Sequence, residues 1–279
     1  MKIAVSSYSY AALNIDDFEC LRLAKKMGFE GIEFAEIHPD SGVDKKAHAA
    51  KIKALSDEIG LPVVNYAIGA DFINKGLDSE VERLKYEVEV ADILGVKTMR
   101  HDATYGPEGE RKSLTGFEKY LPALAEGCRR VTEYAKQFGI KTSVENHGLY
   151  CQQSDRVEAL VKAVDNENFG WLVDIGNFLC ADENPLDAVK VGAQYAVYVH
   201  IKDFYFAEKT QTMPDGYFET RGGNYLCGCV HGDGIVPIAD CVKILRDAGY
   251  DGIVTLEYEG KESPETGVPK SLEFLKKII

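Results

Sequence analysis

Five times along the chain, a helical mixture of apolar and charged residues ends in glycine, and a short apolar run follows within a residue or two. The segments are AKKMG-FEGIEF, LSDEIG-LPVVNY, ADILG-VKTMRH, AKQFG-IKTSVE and LRDAG-YDGIVTLE, with Gly28, Gly60, Gly95, Gly139 and Gly249 at the junctions. Glycine just past a helix supplies a left-handed cap. The runs that follow are rich in Val and Ile and show little alternation before their last residues, the pattern of strands covered by helices on both faces. Extending the reading predicts strands near 2–9, 30–36, 61–67, 96–101, 140–145, 168–174, 195–201 and 252–257. Helices are predicted near 14–28, 44–60, 78–95, 115–139, 154–164, 184–193, 236–248 and 268–278. Asn14 precedes the first helix, with Asp16 and Asp17 in its first turn, as an amino-terminal signal. Eight strands alternating with eight helices predict an α/β fold, a single (β/α)8 TIM barrel spanning residues 1–279. An open doubly wound sheet would want a Gly-rich phosphate loop after the first strand, where SYSYAAL stands. The longest irregular stretch runs from about 203 to 235. Its GYFETRGGNYLCGC segment reads as a lid, as a contact between copies of the chain in a homo-oligomer, or as a surface insertion.

Composition narrows the partners. At 279 residues the chain can bury about 75% of its unfolded surface, so a barrel needs no disulfide or metal staple. The net charge of −13 disfavours nucleic acids, whose binding depends on Lys and Arg. The seven cysteines are odd in number and form no CxxC, which points to free thiols in a reducing, cytoplasmic setting. Cys227 and Cys229 in LCGC make a poor zinc site, which needs four ligands. Neither a signal peptide nor an apolar run long enough to cross a bilayer is legible, so no membrane partner is expected.

The chemical residues gather where the strands end. His38, His101, His147, His200 and His231 all fall at or beyond strand ends, and only His48 falls within a helix. In a barrel, that end carries the active site. Four successive strands each finish in a metal-ligating residue: Glu145 in SVENHG, Asp174 in WLVDIGN, His200 in YVHIKD and Glu257 in VTLEYEG. Strand alternation turns Val144, Val173, Val199 and Leu256 to the helices and their acidic or imidazole neighbours into the mouth. One such acid alone reads as a salt-bridge partner or a helix cap. Four on successive strands read as a site for one divalent cation. The same alternation brings His147 and Lys202 inward as candidate substrate contacts, unless Lys202 only pairs with Asp203 or Glu145. Arg100 and His101 cannot both face inward, and alternation does not choose between them. His38 and His231 complete the candidate substrate contacts, although His38 would equally close a turn before Pro39. Trp171 and Tyr198 read as packing.

These motifs resemble the xylose-isomerase-like barrels, specifically the sugar phosphate isomerase/epimerase group, which includes ketose 3-epimerases, hydroxypyruvate isomerase and inosose dehydratase. The likeness covers essentially the whole chain. It is strongest from SVENHG through VDIGN and VHIKD to HGDGIVPIADCVKILRDAGYDGIVTLEYEG. The resemblance implies that Glu145, Asp174, His200 and Glu257 hold a single Mn, Mg, Co or Zn ion. Asn177 departs from the pattern, since many relatives carry His there. This weakens the carry-over of substrate and counts against the related endonuclease IV nucleases with their His-rich three-metal site.

Strands five and eight lie nearly opposite across such a mouth. A sugar between them would have Glu145 on one face and Glu257 on the other. The expected activity is therefore a metal-dependent isomerase or epimerase acting through a metal-stabilised enediolate on a ketose or related keto-sugar. A lyase of the dehydratase or C-glycoside deglycosylase type, with His147 as its acid/base, is the alternative. A sugar-binding barrel with a structural metal is the non-enzymatic one.

Overall fold

The computed structural model describes all 279 residues. Eight parallel strands close into a barrel: β1 (Lys2–Ser6), β2 (Gly31–Ala35), β3 (Val63–Ile68), β4 (Thr98–His101), β5 (Lys141–Glu145), β6 (Phe169–Asp174), β7 (Ala196–Ile201) and β11 (Ile253–Leu256), which returns to β1. Helices α1 (Asp17–Met27), α2 (Lys45–Ile59), α3 (Leu77–Leu94), α4 (Phe117–Lys136), α5 (Ser154–Val164), α6 (Pro185–Gly192), α7 (Ile238–Asp247) and α8 (Pro264–Ile278) alternate with them. The chain is thus the (β/α)8 TIM barrel its pattern predicts. No helix is long and apolar enough to cross a membrane.

The five predicted cap glycines all adopt positive φ, from +62° at Gly60 to +93° at Gly249. Val144, Val173, Val199 and Leu256 are buried in the apolar layer shared by strands and helices. Trp171 and Tyr198 are packed as expected, with the Trp171 indole N–H donating to Asn146 and the Tyr198 hydroxyl bonded to Thr255.

The structure differs from the sequence reading in two places. The first strand ends at Ser6, and a 3-10 helix occupies Ser7–Leu13. Asn14 closes that turn in a left-handed conformation, and Asp16 caps α1 instead, in a reciprocal pair with Glu19. Second, the stretch after β7 is not irregular. It folds into a three-stranded antiparallel sheet from β8 (Phe204–Ala207), β9 (Phe218–Glu219) and β10 (Tyr225–Gly228), with β10 in the middle.

Asp203 anchors that insertion. Its buried carboxylate accepts backbone N–H groups from Phe204, Gly232, Gly234 and Val236. A Cβ on Gly234 would lie 2.1 Å from an Asp203 oxygen, so glycine is required for the approach. Asp203→Ala strands several amide donors together. It is expected to cost about 3 kcal/mol and to accelerate amide exchange at Gly232, Gly234 and Val236 ahead of the barrel strands. Unchanged exchange there would contradict the anchoring role.

Candidate active site

The carboxyl end of the barrel gathers four of the predicted residues. One ligand atom each from Glu145, Asp174, His200 and Glu257 lie within 4.8 Å of one another, and all four residues are buried. Asn146, just past β5, holds the ends of β5 and β6 together: its side chain donates to the Asp174 carbonyl and accepts from the Asp174 amide.

The hydrogen bonds leave a specific set of atoms free. Asp174 Oδ1 accepts the amides of Gly176 and Asn177 at 2.8 and 3.0 Å, while its buried Oδ2 accepts none. Glu145 Oε1 accepts the Asn177 amide group at 2.9 Å. Glu145 Oε2 lies 2.9 Å from Arg100 Nε without the alignment of a hydrogen bond. His200 donates from Nε2 to Glu33 at 2.8 Å, and its Nδ1 has no hydrogen-bond partner although Glu257 is 3.3 Å away. Glu145, Asp174 and His200 therefore each keep a buried donor or acceptor without a hydrogen-bond partner, in a cluster whose ligand atoms lie within 4.8 Å of one another.

Charge gives the same answer. Five buried carboxylates (Glu33, Asp102, Glu145, Asp174 and Glu257) outnumber the two permanent buried cations, Arg100 and Lys202, even with His200, which, against its burial, Glu33 and Glu257 push toward its charged form. An excess of buried negative charge is costly unless a cation offsets it. Burial, with Glu145 and Glu257 nearby, raises the Asp174 carboxyl to about 6. Glu257 is held well below the usual range despite its burial, because Lys202 and His200 lie beside it. A three-oxygen, one-imidazole set with this charge fits one divalent ion of the Mn, Mg, Co or Zn kind.

Beside this quartet lies a cavity of about 320 Å³, lined by two of its members, Glu145 and Glu257, and by Arg100, Asp102, His147 and Lys202, among others. Of the two candidates on β4, Arg100 faces it. Lys202 pairs neither with Asp203 nor with Glu145; its ammonium sits 2.8 Å from Glu257, 3.1 Å from Glu259 and 3.5 Å from Asp174. His147 borders the cavity, and its Nδ1 lies 3.1 Å from buried Asp102. Tyr105 donates to the other Asp102 oxygen at 2.8 Å. Burial disfavours the charged imidazole of His147, but Asp102 outweighs it and raises its pKa.

Three sequence candidates do not reach the cavity. The His38 side chain is 75% exposed, its ring 4.0 Å from Asp17 beside α1, because the chain turns outward at Pro39. His101 points away from the mouth, into an apolar setting between Phe72 and Phe169. His231 lies buried against the back of β7, bonded to the Ile201 carbonyl at 2.7 Å. Burial lowers both His101 and His231 to about 4. The unfolded chain, near the ordinary value of about 6.5, therefore takes up protons first on acidification. The stability tied to these neutral rings is intact above that value and lost as pH falls toward about 4, by about 3 kcal/mol per histidine. Urea unfolding at pH 7 and 4.5 should show the loss, and it should be shallower in His101→Phe. Equal losses in both proteins would refute this account.

Three polar residues of the site were not legible as such, Glu33, Asp102 and Glu259, and Asn177 was legible only as a departure from the family pattern. Glu33 had a signal, since a charged residue inside the buried strand GIEFA needs a reason to be there.

Residues 21–278 match the family described as Xylose isomerase-like TIM barrel. The chain belongs to that family. Among its relatives, the inosose dehydratase of Clostridium perfringens is 26% identical over 143 residues, covering 51% of this chain and 48% of the relative. The match thus spans about half the length of that protein. The inosose dehydratase of Geobacillus thermodenitrificans is 22% identical over 86% of this chain and 81% of its own. Among solved structures, the probable 3-DHS dehydratase AsbF of Bacillus anthracis superposes with a TM-score of 0.79 at 16% identity, covering 99% of both chains. The 3-keto-D-glucoside 4-epimerase YcjR of E. coli does so at 0.72 and 19%, covering 99% of both. The IOLI protein, solved with a zinc atom, gives 0.72 and 17%, covering 100% of this chain and 96% of that one. At these identities the structural likeness speaks for the fold alone.

Proposed function

We propose that this chain is a divalent-metal-dependent isomerase or epimerase that moves a proton at the carbon beside the carbonyl of a ketose or related keto-sugar. One arrangement carries the reading: Glu145 on β5 and Glu257 beyond β11 border one cavity, with Arg100 and Lys202 beside them. Glu145, Asp174, His200 and Glu257 would hold the ion, which when bound would polarise the carbonyl and an adjacent hydroxyl. The zinc of the IOLI protein supports a metal in this fold.

One glutamate takes the α-proton, the C–H electron pair becomes a carbon–carbon double bond, and the carbonyl π pair moves onto oxygen to give an enediolate. The other glutamate, in its acid form, returns a proton to the opposite face, and exchange with solvent resets the pair. Lys202 and Arg100 offer positive charge to the developing oxyanion. His147 is held by Asp102 in the tautomer that leaves Nε2 for the cavity, as a hydrogen-bond partner for a substrate hydroxyl.

That His147–Asp102–Tyr105 chain also favours a second reading, a lyase. His147 would protonate a β-hydroxyl as it departs, and the same enediolate would collapse to an unsaturated product and water. The dehydratase names among the relatives agree with this alternative.

The test is product analysis in D2O with metal-loaded protein and a panel of ketoses, 3-keto-sugars and keto-glycosides. Isomerase chemistry leaves a product of unchanged formula with one solvent deuteron on carbon. A product short of one water and absorbing in the ultraviolet would establish the lyase instead, and neither a deuterated isomer nor a dehydrated product from any sugar of the panel would sink both.

A further inference from the structure

Glu259 has no part in the chemistry proposed above, yet it stands where the spaces of the barrel mouth meet. It lines the cavity beside the quartet and also two neighbouring ones, of about 260 and 300 Å³. It follows Glu257 by two residues, beyond the end of β11. The sheet inserted after β7 clasps its backbone. Gly260 pairs with Gly228 of β10, and a Cβ on Gly228 would lie 2.2 Å from the Glu259 carbonyl oxygen. On the next residue, the Lys261 ammonium donates to the Asp215 carbonyl. The Glu259 carboxylate is therefore presented to the mouth from a fixed backbone.

What it meets there is Lys202, whose buried ammonium has three carboxylates around it: Glu257 Oε2 at 2.8 Å, Glu259 Oε1 at 3.1 Å and Asp174 Oδ2 at 3.5 Å. Two of these belong to the metal quartet. Asp174 Oδ2 is the oxygen that accepts no hydrogen bond, and Glu257 Oε2 is the one 3.3 Å from His200 Nδ1. Lys202 and a divalent ion therefore draw on the same two oxygens. Two cations at one buried pair of carboxylates repel each other, and a buried setting screens that repulsion weakly. Glu259 alone of the three lies outside the quartet. It is also the one open to solvent, its side chain 27% exposed against 7% for Glu257 and 0% for Asp174.

We propose that Glu259 is a positioning residue for Lys202: it holds the ammonium off Asp174 and Glu257, which leaves their oxygens to the divalent ion, and keeps it at the cavity wall for a substrate oxygen. This inference rests on the metal reading of the quartet and holds equally for the isomerase and the lyase. Without Glu259, Lys202 falls back on Asp174 and Glu257 and competes with the ion. The loss acts through Lys202, so it should vanish when Lys202 carries no charge.

The test is a double-mutant cycle read by calorimetry, in which full-length protein stripped of metal is titrated with Mn and with Zn. Glu259→Gln is expected to weaken binding by about tenfold or more, the scale for losing a group that supports a metal site from behind its ligands. In a Lys202→Met background the same substitution should cost less than about twofold, since the residue it acts through is gone. Glu259→Asp keeps the charge but falls one carbon short of Lys202. It should lose most of the same affinity, and it carries the test if the Gln variant does not melt as a folded protein. Wild-type affinity in folded Glu259→Gln would overturn the inference. Equal losses with and without Lys202 would also overturn it, because the effect would then belong to the charge of Glu259 itself. A wild type that binds neither ion would remove the metal reading of the quartet, and this inference with it.

Discussion

Glu145→Gln and Glu257→Gln are each expected to lower turnover by at least about two orders of magnitude, the usual scale for losing a general acid or base, while the metal is largely retained. Glutamine keeps a carbonyl oxygen for the ion and removes the group that exchanges protons. The two variants should not behave alike. Glu145 is fixed by the Asn177 amide on one oxygen and approached by Arg100 on the other. Glu257 is gripped by Lys202 and lies beside His200. If each serves one face of the sugar, each single variant can still exchange one substrate proton with D2O while forming no epimer. The variant that exchanges then identifies the face its partner serves. Near-normal turnover in both would refute the two-glutamate mechanism and make His147, backed by Asp102, the base to test next.

The barrel and its four-residue cluster were legible because each follows from a local rule. Gly28, Gly60, Gly95, Gly139 and Gly249 punctuate the helices, and period-two alternation assigns Glu145, Asp174, His200 and Glu257 to the inside. Alternation says which face a residue takes, but nothing about loops. His38 and His231 were placed by proximity to strand ends, and their loops carry them outward and behind β7. The choice between Arg100 and His101 depends on register, which β3 and β5 fix on either side of β4. Asp102, Asn177 and Glu259 sit just past strand ends, where turn geometry aims the side chain. The 203–235 segment hid its sheet because β9 is two residues long, too short for any alternation to register. Asn177 shows how a departure from a family pattern can still be used: it donates to Glu145 from the position where many relatives carry His.

Metal binding should fall in two distinct steps along the chain from the quartet to its support. Asp174→Ala or His200→Ala removes one of four ligands and leaves the others buried around a gap, so the purified variant should hold no ion where the wild type holds about one per chain, as a single mixed oxygen and nitrogen site requires. Glu33 touches no other member of the quartet by hydrogen bond. It accepts from His200 Nε2 at 2.8 Å and from Asn65 at 2.7 Å, so the imidazole is oriented with Nδ1 toward Glu145 and Glu257. A carboxylate behind a ligating histidine fixes its tautomer and ring plane, and losing one typically costs about 10- to 100-fold in metal affinity. Glu33→Gln is expected to weaken binding of Mn or Zn by that factor in calorimetry while the site still fills at high metal concentration. Full occupancy restored by excess metal separates this variant from Asp174→Ala, which should stay empty. Wild-type affinity in Glu33→Gln would show that His200 is oriented by its packing against Tyr198, whose ring centroid is 5.9 Å away, and not by the carboxylate.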